Sequence, residues 1–379
     1  MLVEMTVLRQ PLSNKHFNTS IPMKKILINA LSGIGDALMF TPALKFLKEQ
    51  QSDAQIDVLV MFKGVEDIYK RIPYVNEVHY HNFIDSNPLK SLKFILSFRN
   101  KYDAAINVYP SNRKEYNIIN FLLGAKKRAA VTYKRMNKLE LGFLNNITIK
   151  EDDSIHNTEE NIHLIEKLLN KKCDEISPLI FPLCDDDIRF SDDFITSNNL
   201  RNKSMIIGMH PGCSTLKNHV NRRWSPENFA SLADLLIGKF DASVLIFGGP
   251  DELELKESVK TKSISEDVLV VNTKNLGQTA ALIKKCNLFV TNDSSLMHVA
   301  SAMQTNVAAL IGPTNTNYIH PWKTNHKIIS LELDCAPCFF YSPKPLTCSR
   351  DDVKFKCIKE LNPEFAFSKI IEFTEDVNL

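Results

Sequence analysis

Short apolar runs alternate along most of this chain with longer segments whose apolar residues recur at helical spacing. Short apolar runs between polar turns are typical of buried parallel strands, and the longer segments are typical of helices that cover a sheet. The first half predicts strands at 26–31, 56–61, 104–109 and 128–132, with helices at 37–50 and 89–98. The second half predicts strands at 205–209, 244–247, 269–271, 288–291 and 307–311, with helices at 226–239, 252–260, 279–285 and 294–303.

This repeated scheme predicts an α/β protein with two Rossmann-like domains, each built on a parallel sheet. We expect an N-terminal domain at 23–180, a C-terminal domain at 181–360, and a helix at 361–379 that packs back on the N-terminal domain. The acidic segment 151–193 is interpreted as one helix followed by an exposed linker. Two such domains that face one another leave a cleft at the carboxyl ends of both sheets, where α/β proteins bind ligands.

Composition excludes several classes of protein. The chain has 379 residues, 44% of them hydrophobic and 24% charged, which is ordinary for a globular enzyme of two or three domains. A net charge of +2 argues against a dedicated nucleic-acid binder. The sequence has no apolar stretch of membrane-spanning length, and residues 1–22 lack the apolar run of a secretory signal. We therefore expect a cytoplasmic protein whose eight cysteines are reduced unless they bind metal.

The segment 292–300 reads NDSSLMHVA and follows a predicted strand. A strand, a polar turn and a helix start leave free amide groups at the positive end of a helix dipole, which favours a phosphate. The alternative is that Asp293 and Ser294 only cap the helix. Three further turns stand at successive strand ends of the same predicted sheet, with HPGCS at 210–214, FGGPDE at 247–252 and GPT at 312–314. Together with RRWSPENF at 222–229, they favour a pocket for a nucleoside diphosphate.

The turn GIGD at 33–36 joins the first predicted strand to the first helix. It fails as a dinucleotide fingerprint because Leu38 stands where the third glycine would be, which makes a nicotinamide or flavin enzyme a weak rival. In the favoured interpretation, the glycines let a substrate approach the backbone while Asp36 projects into the cleft as a carboxylate. A helix-capping role for Asp36 is the alternative.

Taken in order, these motifs resemble the heptosyltransferase family, glycosyltransferase family 9, whose bacterial members build the inner core of lipopolysaccharide. The resemblance spans roughly residues 24–375 and rests on GIGDALMFTPALKFLK, HPGCS, RRWSPENFASLADLL, FGGPDE, NDSSLMHVASAM and GPT. It implies the two-domain GT-B architecture and transfer of a heptose from ADP-heptose to a sugar hydroxyl, with inversion and without a catalytic metal. The chain departs from the family pattern at Ser295 and Leu296, where Gly-Pro is usual, and at Arg222, where lysine is usual.

By this resemblance, Asp36 is the general base on the acceptor hydroxyl, Arg222 holds the donor diphosphate and Glu252 contacts the ribose. Asp293 is expected near the donor sugar and phosphate. The remaining donor-side residues are expected to be Ser214, Gly249, Ser294, Ser295, His298 and Thr314. For His298 a packing role is an equal alternative.

The acceptor side is expected in the N-terminal domain, at Gly35 and in a basic segment. Between Tyr109 and Lys138 this segment carries a single acid, Glu115. Its candidate acceptor residues are Arg113, Lys126, Lys127 and Arg128. Such a patch suits a lipid-linked glycan acceptor at an anionic membrane surface, although a solvated face is an equal alternative. We therefore expect a nucleotide-sugar donor, this glycan acceptor and no nucleic acid as partners, and a peripheral position at the cytoplasmic face of the inner membrane.

Four cysteines near the C-terminus, Cys335, Cys338, Cys348 and Cys357, begin with a C-x-x-C pair. Four thiolates suit structural zinc or iron, whereas the wide second spacing favours reduced thiols or a labile disulfide. For the whole chain two functional alternatives stay open. One is a transferase for another nucleotide sugar, such as an N-acetylhexosamine. The other is a non-catalytic nucleotide-sugar-binding protein, which would not need a carboxylate at Asp36.

Overall fold

A computed structural model of the chain describes residues 23–136, 138–341 and 344–379. The prediction that residues 1–22 lack a secretory signal concerns residues outside these ranges. Within it, every helix is too short or too polar to cross a lipid bilayer.

The first half is a parallel six-stranded sheet with the strand order β3-β2-β1-β4-β5-β6. Its strands are β1 (Lys25–Ala30), β2 (Gln55–Val60), β3 (Glu77–Tyr80), β4 (Ala104–Asn107), β5 (Lys127–Thr132) and β6 (Ile147–Lys150). Its helices are α1 (Ile34–Gln50), α2 (Lys63–Lys70), α3 (Pro88–Leu96), α4 (Lys114–Leu122) and α5 (Asn157–Leu169).

The second half contains another parallel six-stranded sheet, which follows the connecting helix α6 (Asp185–Ser197). Its strands are β7 (Met205–His210), β8 (Ala242–Ile246), β9 (Val268–Val270), β10 (Leu288–Asn292), β11 (Asn306–Leu310) and β12 (His326–Ile329). Its helices are α7 (Pro226–Phe240), α8 (Leu253–Lys262), α9 (Leu276–Lys285), α10 (Ser295–Ala302), α11 (Thr316–Ile319), α12 (Lys356–Lys359) and α13 (Pro363–Asp376). The strand order is β12-β11-β10-β7-β8-β9, so each half repeats the doubly wound arrangement and has one switch point, at β1/β4 and at β7/β10.

The predicted fold class is confirmed, and the nine predicted strands correspond to β1, β2, β4, β5, β7, β8, β9, β10 and β11. The sequence pattern missed β3, β6 and β12. All three are edge strands. Each has at most one fully buried residue, so none produces a continuous apolar run.

One expectation about the connections holds in part and another is wrong. The acidic segment 151–193 contains one helix, α5, and then residues 170–184 without helix or strand, but its acidic stretch at 185–187 forms the first turn of α6, where Asp187 is buried in an ion pair with Arg71 of α2. The C-terminal helix α13 packs against α7 and β12 of the second half, where Ile370 and Phe373 join the core, and not back on the first half as expected. The predicted domain boundaries themselves stay a prediction.

The two halves meet through α1 and α10, which follow the central strands β1 and β10. Leu38 of α1 and Met297 of α10 belong to one continuous apolar core. The N-terminus of each helix lies at the carboxyl end of its sheet, so the packing of α1 on α10 brings the two switch points face to face.

Candidate functional site

Asp36 lies in the first turn of α1, immediately after β1. Its Oδ2 accepts a hydrogen bond from the Gly33 amide at 3.2 Å, so the capping role considered as the alternative is present. The carboxylate also borders a cavity between the two halves. Burial raises the pKa of Asp36 to about 7, and the charge of Asp293 adds to this, whereas the Gly33 amide and the charge of Arg222 oppose it. A carboxyl group with this pKa can take up and release a proton near neutral pH.

Across the cavity, Arg222 and Asp293 form a buried ion pair. Arg222 ends a 3₁₀ segment at Leu216–Arg222, and Asp293 follows β10. Thr314 donates its hydroxyl to the same Asp293 oxygen at 2.7 Å. Asp293 therefore holds two donor-side residues in place, and the guanidinium of Arg222 stays at the cavity wall.

No side chain caps the N-terminus of α10, the helix that follows β10. Ser294 is the N-cap residue of α10, but its hydroxyl lies 2.8 Å from Nδ1 of His210 and does not cap the helix. The first amide groups of α10 therefore remain available to an anion in the cavity, as the sequence motif predicts.

Glu252 is held at the carboxyl edge of the second sheet by three contacts. Nε2 of His210 lies 3.1 Å from its Oε2, the Gly249 amide donates to it at 2.9 Å, and Arg223 lies 3.5 Å away. Burial alone would raise the pKa of Glu252, but the hydrogen bond and charge of His210, the Gly249 amide and the charge of Arg223 together bring the pKa below its usual value. Gly212 packs beneath this carboxylate, because a Cβ at Gly212 would lie 1.9 Å from Oε1.

These groups border two adjoining cavities of about 560 and 400 Å³. The nine residues expected on the donor side all line one or both of them: Ser214, Arg222, Gly249, Glu252, Asp293, Ser294, Ser295, His298 and Thr314. The smaller cavity also contains Gly35, Asp36 and Arg113 from the first half. The structure thus brings together the groups that the sequence placed on opposite sides of a cleft.

His298 lies where α10 approaches α1. Its ring is buried, and burial lowers its pKa to about 4, so it is neutral. Its Nδ1 has no hydrogen-bond partner among the described residues. A Cβ placed at Gly35 would lie 2.7 Å from Cδ2 of this ring. The packing role considered for His298 is therefore present, while its expected contact with the donor stays a prediction.

Three expected acceptor residues do not reach the cleft. Lys127 and Arg128 begin β5, and Lys126 directly precedes it, so all three lie at the amino end of the sheet, opposite Asp36. Arg128 is used structurally, since it donates to the carbonyls of Leu144 and Ala125. Besides Arg222, the lysine and arginine side chains that line the Asp36 cavity are those of Arg113 and Lys217.

Several residues of the two cavities have no signal in the sequence. Lys217 and His219 come from a loop without a distinctive motif, and Tyr341 follows the first cysteine pair. His210 lies within HPGCS, but its link between Glu252 and Ser294 is visible only in three dimensions.

The four C-terminal cysteines lie near one another. Burial and then the other three thiols raise the pKa of Cys357 to about 11. The Phe355 amide donates to Sγ of Cys348 at 3.3 Å. Within the described part of the chain, however, no three His, Cys, Asp or Glu side chains are arranged to hold a metal ion. The side chains as placed do not fit a metal site, and the structural metal, one of the two alternatives for these cysteines, stays a prediction.

Comparisons with known proteins agree with this geometry. A model of the family described as "Glycosyltransferase family 9 (heptosyltransferase)" matches residues 91–346. Lipooligosaccharide heptosyltransferase 2 of Campylobacter jejuni is 29% identical over 361 residues, which cover 92% of this chain and 96% of that protein.

Solved structures of similar fold include two heptosyltransferases of Escherichia coli. The Escherichia coli ADP-heptose lps heptosyltransferase II superposes with a TM-score of 0.70 at 20% identity, covering 94% of this chain and all of that one. E. coli heptosyltransferase WaaC with ADP-2-deoxy-2-fluoro heptose gives a TM-score of 0.62 at 18% identity, covering 92% of this chain and 99% of that one.

Proposed function

This chain belongs to glycosyltransferase family 9, the heptosyltransferase family, and from that premise we propose that it transfers a heptose from ADP-heptose to a sugar hydroxyl of the lipopolysaccharide core. Its two parallel sheets have the GT-B architecture, and it is a glycosyltransferase enzyme. The observation that carries the proposal is the cleft itself, in which a carboxylate with a raised pKa, Asp36, faces the Arg222–Asp293 pair and the open amino end of α10.

The donor half supplies groups suited to a nucleoside diphosphate. The amides at the start of α10 and the guanidinium of Arg222 would donate hydrogen bonds to the diphosphate oxygens, and we propose that catalysis needs no metal ion. Glu252 would accept hydrogen bonds from the ribose hydroxyls, and its contacts with His210 and Arg223 keep it ionised for that purpose.

The chemical step is a single displacement. Asp36 accepts the proton of the acceptor hydroxyl as the oxygen attacks C1 of the heptose, and the bond from C1 to the diphosphate oxygen breaks on the opposite face. The configuration at C1 is therefore inverted. ADP leaves with the electron pair, and its negative charge is stabilised by Arg222 and the α10 amides.

Family membership also supports an acceptor that is a lipid-linked glycan. We propose that the enzyme works in the cytoplasm, at the face of the inner membrane that carries this acceptor. Within the cleft, Arg113 and Lys217 beside Asp36 would bind phosphate or carboxylate groups of the acceptor.

A donor panel tests the proposal. Purified protein is incubated with a heptosylated lipopolysaccharide-core acceptor and, separately, with ADP-heptose, UDP-N-acetylglucosamine and GDP-mannose, and products are identified by mass spectrometry. We expect a mass increase of one heptose and release of ADP only with ADP-heptose. Transfer from UDP-N-acetylglucosamine would establish the other nucleotide-sugar activity, and donor binding without any transfer would favour the non-catalytic alternative.

A further inference from the structure

Helix α3 presents an unpartnered apolar stripe to solvent. Its sequence is PLKSLKFIL, and the exposed fractions of Leu89, Leu92 and Leu96 are 70%, 41% and 41%. Positions three and four apart lie on one side of a helix, so the three leucines form a single row. Ile95, which borders this row, is buried and packs in the core beneath the helix.

The charges on α3 itself have one sign, and the exposed Asp85 lies three residues before the helix. Lys90 and Lys93 are exposed and flank the leucines, and the sequence of α3 contains no acidic residue. Arg99 and Lys101, which follow the helix, are also exposed. An apolar row bordered by lysines is the pattern of a helix that lies in the interface of an anionic bilayer, with leucines in the acyl region and lysines among the headgroups.

This face adjoins the cleft. Ile84 lies just before α3, is 60% exposed, and lines the same cavity as Asp36. A bilayer that contacts α3 would therefore lie at the mouth of the cavity that is to receive the acceptor sugar.

We propose that α3 docks the enzyme on anionic lipid, with Leu89, Leu92 and Leu96 inserted and Lys90 and Lys93 at the headgroups. The proposal rests on the proposed function in one respect, because it gives a lipid-linked acceptor a defined direction of approach to Asp36. The binding itself requires no acceptor and can be measured without one.

Vesicle cosedimentation of the full chain tests the docking. The probes are phosphatidylcholine vesicles with and without phosphatidylglycerol. We expect the wild type to bind the anionic vesicles about tenfold more tightly than the neutral ones, and added salt should weaken this binding. The combined variant Leu89→Ser, Leu92→Ser, Leu96→Ser and the separate variant Lys90→Glu, Lys93→Glu should each lose about tenfold or more in affinity for anionic vesicles.

Matched controls come from the second half. Ile264→Ser removes an apolar side chain that is 92% exposed, and Lys260→Glu, Lys284→Glu reverses two exposed charges. Both controls should bind vesicles like the wild type. Circular dichroism checks the fold of every variant. If the leucine variant does not fold, the vesicle affinity of the variant Lys90→Glu, Lys93→Glu tests the docking proposal by itself.

The outcomes separate docking from function. A wild-type chain that transfers heptose to a water-soluble, lipid-free acceptor but stays off both vesicles would overturn the docking proposal and leave the proposed function intact. Equal binding by the α3 variants would also overturn it. A dimer in sedimentation analysis that the leucine variant disrupts, without vesicle binding, would assign this face to a second copy of the chain. In contrast, α3-dependent vesicle binding without heptose transfer would support docking and refute the function.

Discussion

The imidazole of His298 in α10 packs directly on Gly35 in α1, and this contact sets how closely the two halves of the cleft approach. A Cβ at Gly35 would lie 2.7 Å from Cδ2 of His298, which is too close for any side chain. Asp36 is the next residue along α1, and Asp293 and Ser294 directly precede α10. The spacing between the candidate base and the donor site therefore depends on the absence of a side chain at Gly35.

We predict that Gly35→Ala forces α1 and α10 apart. Overpacking at such a contact costs about 1–3 kcal/mol. Both the melting temperature and the turnover should fall, although alanine at a helical position would otherwise be favourable. Gly33→Ala is the control, because its Cβ would meet nothing closer than Asp36 Oδ2 at 3.9 Å. Equal stability and turnover for the two variants would show that this contact does not position the site.

A second prediction concerns Arg222. Arg222→Ala should weaken ADP binding by about 1.5–3 kcal/mol, the usual value of a hydrogen bond to a charged group. It also leaves the buried carboxylate of Asp293 without its ion-pair partner, next to the expected diphosphate. Isothermal titration calorimetry measures the loss, and Arg189→Ala, which removes an exposed arginine of α6, should leave ADP affinity unchanged. Wild-type affinity in Arg222→Ala would remove Arg222 from the donor site.

The contacts of Glu252 predict a nucleoside-specific defect. Glu252→Gln keeps the shape but removes the charge that His210 and Arg223 stabilise. ADP affinity should fall by about 1.5–3 kcal/mol, while the affinity for inorganic pyrophosphate, which has no ribose, should not change. Glu254→Gln, two residues further on at an exposed position, is the control. A parallel loss of pyrophosphate affinity would contradict the ribose assignment.

Metal analysis decides between the alternatives for Cys335, Cys338, Cys348 and Cys357. Because no three described thiols are arranged around a common ion, we expect less than about a tenth of an equivalent of zinc or iron in protein purified without chelator or metal resin. Thiol titration of the unfolded chain should then detect all eight cysteines, since the described structure contains them as free thiols. About one equivalent of metal, lost in a variant with these four residues changed to serine, would establish the structural site instead.

The central strands and the turns after them were predictable because burial on both faces leaves an apolar run, and because ligand-binding turns need glycine and polar residues. The edge strand β3 has no fully buried residue, so its sequence gives no such signal. The donor residues followed from motifs at strand ends. The basic acceptor residues could not be predicted in this way, because a run of charges does not reveal which end of a sheet it occupies. Lys126 precedes β5 and Lys127 begins it, so both lie at the amino end of the sheet. Arg113 follows β4 and reaches the cleft.

The last prediction concerns Asp36. Asp36→Asn keeps the size of the side chain but cannot accept a proton, so turnover should fall by about 10²–10⁴-fold while ADP affinity stays near wild type. Since the pKa of Asp36 is raised to about 7, wild-type kcat/KM should increase with pH and level off above pH 7, and this rise should disappear from the residual activity of the variant.

Stability should change with pH in the opposite direction. A carboxyl group whose pKa is about 7 when folded and near 3.8 when unfolded holds its proton more tightly in the folded state. Its contribution to stability is therefore complete at acid pH and is lost as the pH rises through 7. Asp36→Asn removes this loss, so the variant should melt higher than the wild type at pH 8, with a smaller difference at pH 5. A role restricted to capping through Gly33 predicts instead a slightly destabilised variant at both pH values and nearly full turnover. Measured turnover close to wild type would return Asp36 to that structural role.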